Sequence, residues 1–228
     1  MGVMAQRRRA SHSLEAVVDA TIALLDESGE GALTFRALAA RLGGGVGSIY
    51  WYVSSKEELL DRATDEIMGR VLAKTDALVT GPDPIENARA VSLAMFDEMV
   101  RRPWLGNLLM RNTGVQTNSI RLFERLGQQA MQLDLTPKQQ MEAVMTIISY
   151  VVGVAVDMAQ PPPQEFLDSG LEPAEFMKGF ADGWRAYDPG EFPFLHQIAD
   201  EFETHDDADV FRSGLDMLLA GLRMKADR

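Results

Sequence analysis

Four side chains near the C-terminus, His196, Asp200, Glu203 and His205, are of the types that hold divalent metals, and His196 and Asp200 stand at i, i+4 spacing. No third ligand is secured by spacing, and a solvated acidic helix end explains the same residues, so a metal-dependent helical enzyme is the rival expectation. With no cysteine there is no disulfide framework, no thiolate metal site and no thiol nucleophile. A second cluster offers binding chemistry. Gly47, Ser48, Trp51 and Tyr52 fall on the outward side of a short amphipathic segment whose Val46, Ile49, Tyr50 and Val53 sit at i, i+3, i+4, i+7. A hydroxyl and two large aromatics exposed on so short a helix call for something that covers them. Arg7, Arg8 and Arg9 add a basic tip, either a generic tail or an arm for a nucleic-acid groove. No catalytic residue, metal or cofactor is expected.

The elements that position this cluster follow from periodicity. Leu14, Val17, Val18, Ile22 and Leu25 mark a first helix, closed by Ser28-Gly29 and Gly31. Thr34 can cap a second helix with Phe35, Leu38, Ala39 and Leu42 inward, and Gly43-Gly44-Gly45 must end it. The third helix follows, about two turns long. Ser54 or Ser55 caps a fourth that runs through Leu59, Leu60, Ala63, Ile67 and Val71. Beyond Gly81-Pro82-Asp83-Pro84, helices are expected over 85–101, 104–111, 119–133, 138–159, 174–184 and about 207–222, with a loop containing Pro189, Gly190 and Pro193 before the last. No window alternates convincingly enough for a strand. The expected fold is all-α, with a head at 1–56, a connecting helix at 57–80 and a body at 81–228.

Charge divides the chain the same way. The net charge is −12, yet residues 1–56 carry six basic and five acidic side chains while the remainder carries 16 and 29. An acidic body with a less acidic head suits a head that touches phosphate and a body that does not. The composition is that of an ordinary soluble protein, no export signal is read at the N-terminus, and the most apolar window, 147–156, is too short to cross a bilayer. A cytoplasmic protein without a membrane partner is expected.

Three short helices with a glycine turn between the second and third form a helix-turn-helix. Leu33-Thr34-Phe35-Arg36, Leu38-Ala39, Leu42-Gly43, then Gly47-Ser48-Ile49-Tyr50-Trp51-Tyr52-Val53 and Lys56-Glu57-x-Leu59-Leu60 resemble the signature of the tetracycline-repressor (TetR) family. Phe192-Pro193-Phe194-Leu195 and the run from Phe211 to Leu222 are similar to the ligand-binding domain of the tetracycline-repressor subgroup. The resemblance implies a ligand-responsive repressor that binds a palindromic operator in double-stranded DNA as a homodimer. It implies that Arg36 reads guanine, the base its fork fits best, and that Thr34, Ser48, Tyr50, Tyr52 and Lys56 hold phosphates. Val46 is placed near a thymine methyl, and Gly44 and Gly45 offer only backbone where the family usually has side chains. The inward spacing of Tyr50 leaves a core role open beside the phosphate contact. Three consecutive glycines cost about 1 kcal/mol for each that falls inside a helix, and a helical interaction module without DNA binding is the alternative reading.

The body should dimerise and bind an effector. Residues 141–154 are apolar nearly all round, so that helix needs partners on several sides. With the last helix it gives the expected seam, Ile148, Val152, Leu215, Leu218, Leu219 and Leu222. Pocket candidates on the middle helices are Phe96, Met99, Trp104, Leu108, Met131, Met145, Met177, Phe180 and Trp184, in a chain with thirteen methionines; as single residues they read equally as core. The pocket itself is implied by the resemblance. The expected effector is a small apolar or aromatic compound. Tetracycline is not indicated, because its magnesium chelate is held by pocket histidines in the family's namesake and the three histidines here are His12, in the head, and His196 and His205, near the C-terminus.

Overall fold

A computed structural model describes residues 12–79, 81–111 and 116–227, and among these all regular structure is helical. The head comprises α1 (Leu14–Ala32), α2 (Phe35–Arg41) and α3 (Val46–Ile49). Each of the first two begins at the hydroxyl that the sequence offers: Ser13 accepts from the Ala16 N–H at 3.0 Å and Thr34 from the Ala37 N–H at 3.1 Å. The regular part of α1 stops at Gly29, whose φ of 71° belongs to the left-handed region, and the chain resumes for one more turn. α2 stops in a Schellman arrangement. Gly43 takes φ 68°, its N–H bonds to the Ala40 carbonyl, and the Gly44 N–H bonds to the Ala39 carbonyl at 2.9 Å.

α4 (Lys56–Asp76) leaves the head and enters the body. Its start is fixed twice, by the Ser55 hydroxyl on the Glu58 N–H and by the Glu58 carboxylate, which accepts from the Ser54 N–H at 2.8 Å. Those bonds and the Arg62 guanidinium hold the Glu58 carboxyl down at about 2. In the body α5 (Pro84–Arg101), α6 (Pro103–Arg111) and α7 (Thr117–Ala130) pack against α4, and α8 (Pro137–Met158) and α12 (Asp207–Ala226) pack on each other and on α5. Phe96, Met99, Leu105, Leu126, Val151 and Phe211 lie at the centre of this core.

The remaining helices, α9 (Gln164–Ser169), α10 (Pro173–Arg185) and α11 (Pro193–Thr204), are inserted between α8 and α12. α10 and α11 pair through Ala181 and Ala199, with Trp184 tilted on Phe202 at 4.1 Å. α9 is absent from the sequence reading, and α11 occupies most of what was expected as loop. The reason is local, since Pro193 stands at the first turn of α11, where a proline initiates a helix rather than ending one.

Helix α8 also departs from expectation. It spans 22 residues at a mean hydropathy of 1.6, long and apolar enough to cross a membrane by length and composition. Val144, Ile147, Val151 and Ala155 are buried against the core, while only 28% of its apolar window is buried, so one face is left without a partner.

Candidate nucleic-acid interface

α2 and α3 come together at the Phe35 ring, which meets Tyr50 edge-on at 4.7 Å. α3 is one turn long rather than two, so the i, i+4 pattern that pointed Tyr50 inward does not persist. Ile49 and Val53 are buried, and Tyr50 is 59% exposed. Trp51, the next residue, is 88% exposed. Two adjacent bare aromatics follow Gly47, which is exposed, and the half-buried Val46 and Ser48; the Ser48 hydroxyl donates to the Gly45 carbonyl at 2.6 Å. Thr34 is exposed beside them, with its cap bond made and its hydroxyl proton free for a phosphate.

Two expected phosphate contacts have structural partners instead. The Tyr52 ring is half-buried and its hydroxyl donates to the His12 carbonyl. The Lys56 ammonium donates to the Glu30 carbonyl at 2.7 Å, in the turn that Gly29 sets off from α1. Both tie the start of the head to its end, which spacing along one helix cannot reveal. Lys56 retains two further donors.

Among the head's described cations, Arg41 is engaged by both oxygens of Glu27 at 2.6 and 2.7 Å, a fork that holds the Glu27 carboxyl below its ordinary range. Arg36 is exposed and makes no ion pair or hydrogen bond with any described residue. It is therefore the arginine available to a base edge. Arg7, Arg8 and Arg9 lie outside the described residues.

The head is clasped to the body by α1. Trp104, 8% exposed, donates its indole N–H to Asp26 at 2.7 Å, and Arg102 reaches the other oxygen of Asp26 at 3.2 Å while also pairing with Glu98. Arg111 pairs with Glu30. Residues on α1 thus touch α6 directly, a contact without a sequence signature.

The nine pocket candidates do not converge. Phe96, Met99, Trp104 and Leu108 are buried in solid packing, with Phe96 stacked on Phe211 at 3.6 Å and Tyr150 stacked beyond it at 5.5 Å. Met131 is 68% exposed at the end of α7 and Met145 53% exposed on the outer side of α8. Met177, Phe180 and Trp184 belong to α10, which packs on α11. Residue type and a place on the middle helices group them in the sequence, and neither says which neighbour a side chain faces. The openings among the described residues include surface grooves, one of about 460 Å³ between α1, α4 and α7 and one of about 420 Å³ between α8 and α12.

The dimer candidates divide as well. Leu215 and Leu219 turn into the chain's own core, at 0% and 3% exposure. Ile148, Val152, Leu218 and Leu222 are half-buried, and Met141, Met145 and Met217 are exposed on the same two helices. Tyr150 sits so close over Gly214 that a Cβ there would fall 1.9 Å from its hydroxyl.

The metal constellation is dispersed. Arg185 takes both Asp200 and Glu203, His196 faces the Tyr187 carbonyl at 2.8 Å, and His205 faces the Phe202 carbonyl at 2.7 Å. Among the described residues no group of three or more acidic or histidine side chains is placed to hold an ion.

Comparison with known proteins agrees with this architecture. Residues 17–63 match the family of bacterial regulatory proteins called tetR, and residues 85–226 match the tetracyclin repressor-like C-terminal domain. The chain is 28% identical over 221 residues to the transcriptional repressor DrrR1 of Streptomyces coeruleorubidus, covering 93% of this chain and 77% of that protein. It is similar to the solved structure of the regulator SCO7222, a TetR from Streptomyces coelicolor, at 32% identity and a TM-score of 0.79, over 94% of this chain and 99% of that one. ActR of Streptomyces coelicolor in complex with actinorhodin shares the fold at a TM-score of 0.78 and 21% identity, over 95% and 98% of the two chains. A helix-turn-helix head on an all-α body, matched by family along both parts, makes this chain a member of the TetR family of transcription regulators, DNA-binding proteins rather than enzymes.

Proposed function

We propose that the protein is a repressor that binds a palindromic operator as a homodimer and is released by a small apolar or aromatic effector. The observation that carries the DNA side is the state of the reading surface. Arg36 is exposed and unpaired, and Tyr50 and Trp51 are bare within a head whose other described arginine is neutralised. Arg36 reads a base, while Thr34 and Tyr50 hold phosphates, Ser48 joins them when its hydroxyl turns from the Gly45 carbonyl to the duplex, and Gly47 and Val46 let the duplex approach. The functional division is a head at 1–56, the connecting stretch at 57–80 within α4, and the body from 81 onward.

The dimer forms through the outer faces of α8 and α12, where Ile148, Val152, Leu218 and Leu222 meet their copies across a two-fold axis. An unpartnered apolar helix face of this length supports that reading. Two heads so related address two half-sites about 34 Å apart. The effector enters the core lined by Phe96, Met99, Trp104 and Leu108 and binds a conformation in which that core is open. The fold shared with ActR, solved with actinorhodin, supports an aromatic effector for this chain. It releases DNA only if it binds the open arrangement more tightly than the closed one.

Footprinting on the DNA upstream of the protein's own gene tests this. Two protected half-sites related by a dyad, with affinity that falls steeply as salt rises, are expected. A log–log salt slope near zero removes the repressor reading. Repeating the footprint with planar aromatic compounds tests release.

A further inference from the structure

The glycine triplet leaves the turn before α3 without side chains, and one residue from elsewhere in the chain fills part of that space. A Cβ at Gly44 would stand 2.9 Å from Nε2 and 3.6 Å from Cδ2 of His12, and 3.1 Å from the Ser48 hydroxyl oxygen. The imidazole therefore lies over the exposed turn, beside Ser48, where a side chain at position 44 would have projected. The backbone that carries the ring is held from both sides. The Tyr52 hydroxyl bonds to the His12 carbonyl, and Ser13, the next residue, caps α1. Although half-buried, the imidazole makes no hydrogen bond to a described residue. A half-buried ring with donor capacity and no partner among the described residues, next to an expected phosphate contact, is an incomplete site.

We propose that His12 is an operator contact: its imidazole replaces the side chain that Gly44 lacks and donates a hydrogen bond to a backbone phosphate next to the one held by Ser48. This rests on the DNA-binding reading and deepens it. It also accounts for Gly44, since any larger residue there drives into the ring. The turn thus contributes a side-chain donor that belongs to the start of α1.

Phosphate ethylation interference on the footprinted operator, with the full-length protein, distinguishes a contact from a packing role. For the wild type, one ethylated phosphate per half-site blocks binding at the His12 position. With His12→Ala that phosphate becomes tolerant, and affinity falls about tenfold on operator and unrelated DNA alike, as expected for one lost hydrogen bond to a charged group. His12→Gln, which keeps an amide donor, retains the interference signal. Gly44→Ala displaces the ring without altering α1, and removes the same signal, so the result does not depend on one variant folding. An interference pattern identical for wild type, His12→Ala and Gly44→Ala overturns the proposal, whatever the loss of affinity. A wild type that gives no footprint overturns the DNA-binding reading itself.

Discussion

Replacing Trp104 with phenylalanine probes the clasp between head and body. The indole N–H donates to Asp26 at 2.7 Å and the ring is 8% exposed, so the bond is shielded from water on the indole side and one partner is charged. A hydrogen bond of that kind contributes about 1.5–3 kcal/mol. Phenylalanine preserves most of the apolar burial, and Asp26 keeps Arg102 at 3.2 Å, so no charge is stranded. The cost should be about 2 kcal/mol, a fall in Tm of about 4–8 °C for a chain of this size. Because the contact is direct, a double-mutant cycle with Asp26→Ala should return a coupling of about 1–2 kcal/mol. Arg102 does not confound the cycle, since Glu98 still pairs with it when Asp26 is truncated. Calorimetry on the four proteins measures the coupling, and a value near zero refutes the claim that Trp104 and Asp26 join the two parts. Operator affinity measured alongside should fall for Trp104→Phe, because a head less firmly held spends less time in its bound orientation.

Other outcomes follow from individual contacts. Arg36→Ala should weaken operator binding by about 1–3 kcal/mol and unrelated DNA by less, and equal losses in a competition assay would remove its base-reading role. Leu218→Glu should leave each subunit folded and yield monomers in ultracentrifugation, because the half-buried residue lines the α8–α12 groove rather than the core. Gly214→Ala gains helix propensity of about 1 kcal/mol but must displace Tyr150; overpacking of this kind costs about 1–3 kcal/mol, and urea titration should show a net loss that Tyr150→Leu relieves. Glu58, whose carboxyl is lowered from 4.5 to about 2 chiefly by the Ser54 N–H and Arg62, contributes stability that is complete above pH 4.5 and disappears as the pH falls towards 2. Glu58→Gln should flatten acid unfolding across that window.

The sequence was most legible where one residue type has one local use. Thr34 and Ser55 cap helices, Gly43 closes α2 with a positive φ, and the apolar stripe of α4 is buried as its spacing predicts. Legibility ended where a residue's role depends on a partner distant in the chain. Tyr52 and Lys56 read as DNA contacts, yet each bonds a backbone carbonyl of α1 or of the residues before it. Leu215 and Leu219 share a stripe with Leu218 and Leu222, and only the packed position of α12 tells the buried pair from the half-buried one. Met145 and Phe180 were grouped with Phe96 by residue type, although α8's outer side and the α10–α11 pair keep them apart. His12 carried one usable signal, the absence of side chains at 43–45, which marks a place that something else must occupy.

The bonds that close the head on itself give α4 a mechanical meaning. Lys56 pins the first turn of α4 to the last turn of α1, Arg70 pairs with Asp19 a few turns further along, and the Tyr52 hydroxyl secures the chain before α1. The recognition elements are thereby fixed to the shaft that carries them. With 21 residues, α4 is about 31 Å long at 1.5 Å per residue. A tilt of about 5° at its far end carries the head through about 3 Å. In a dimer, opposite tilts double that displacement against half-sites about 34 Å apart. On the proposed function the helix is a lever, whose length allows a small rearrangement of the core to become a misfit at the operator while the head keeps its shape.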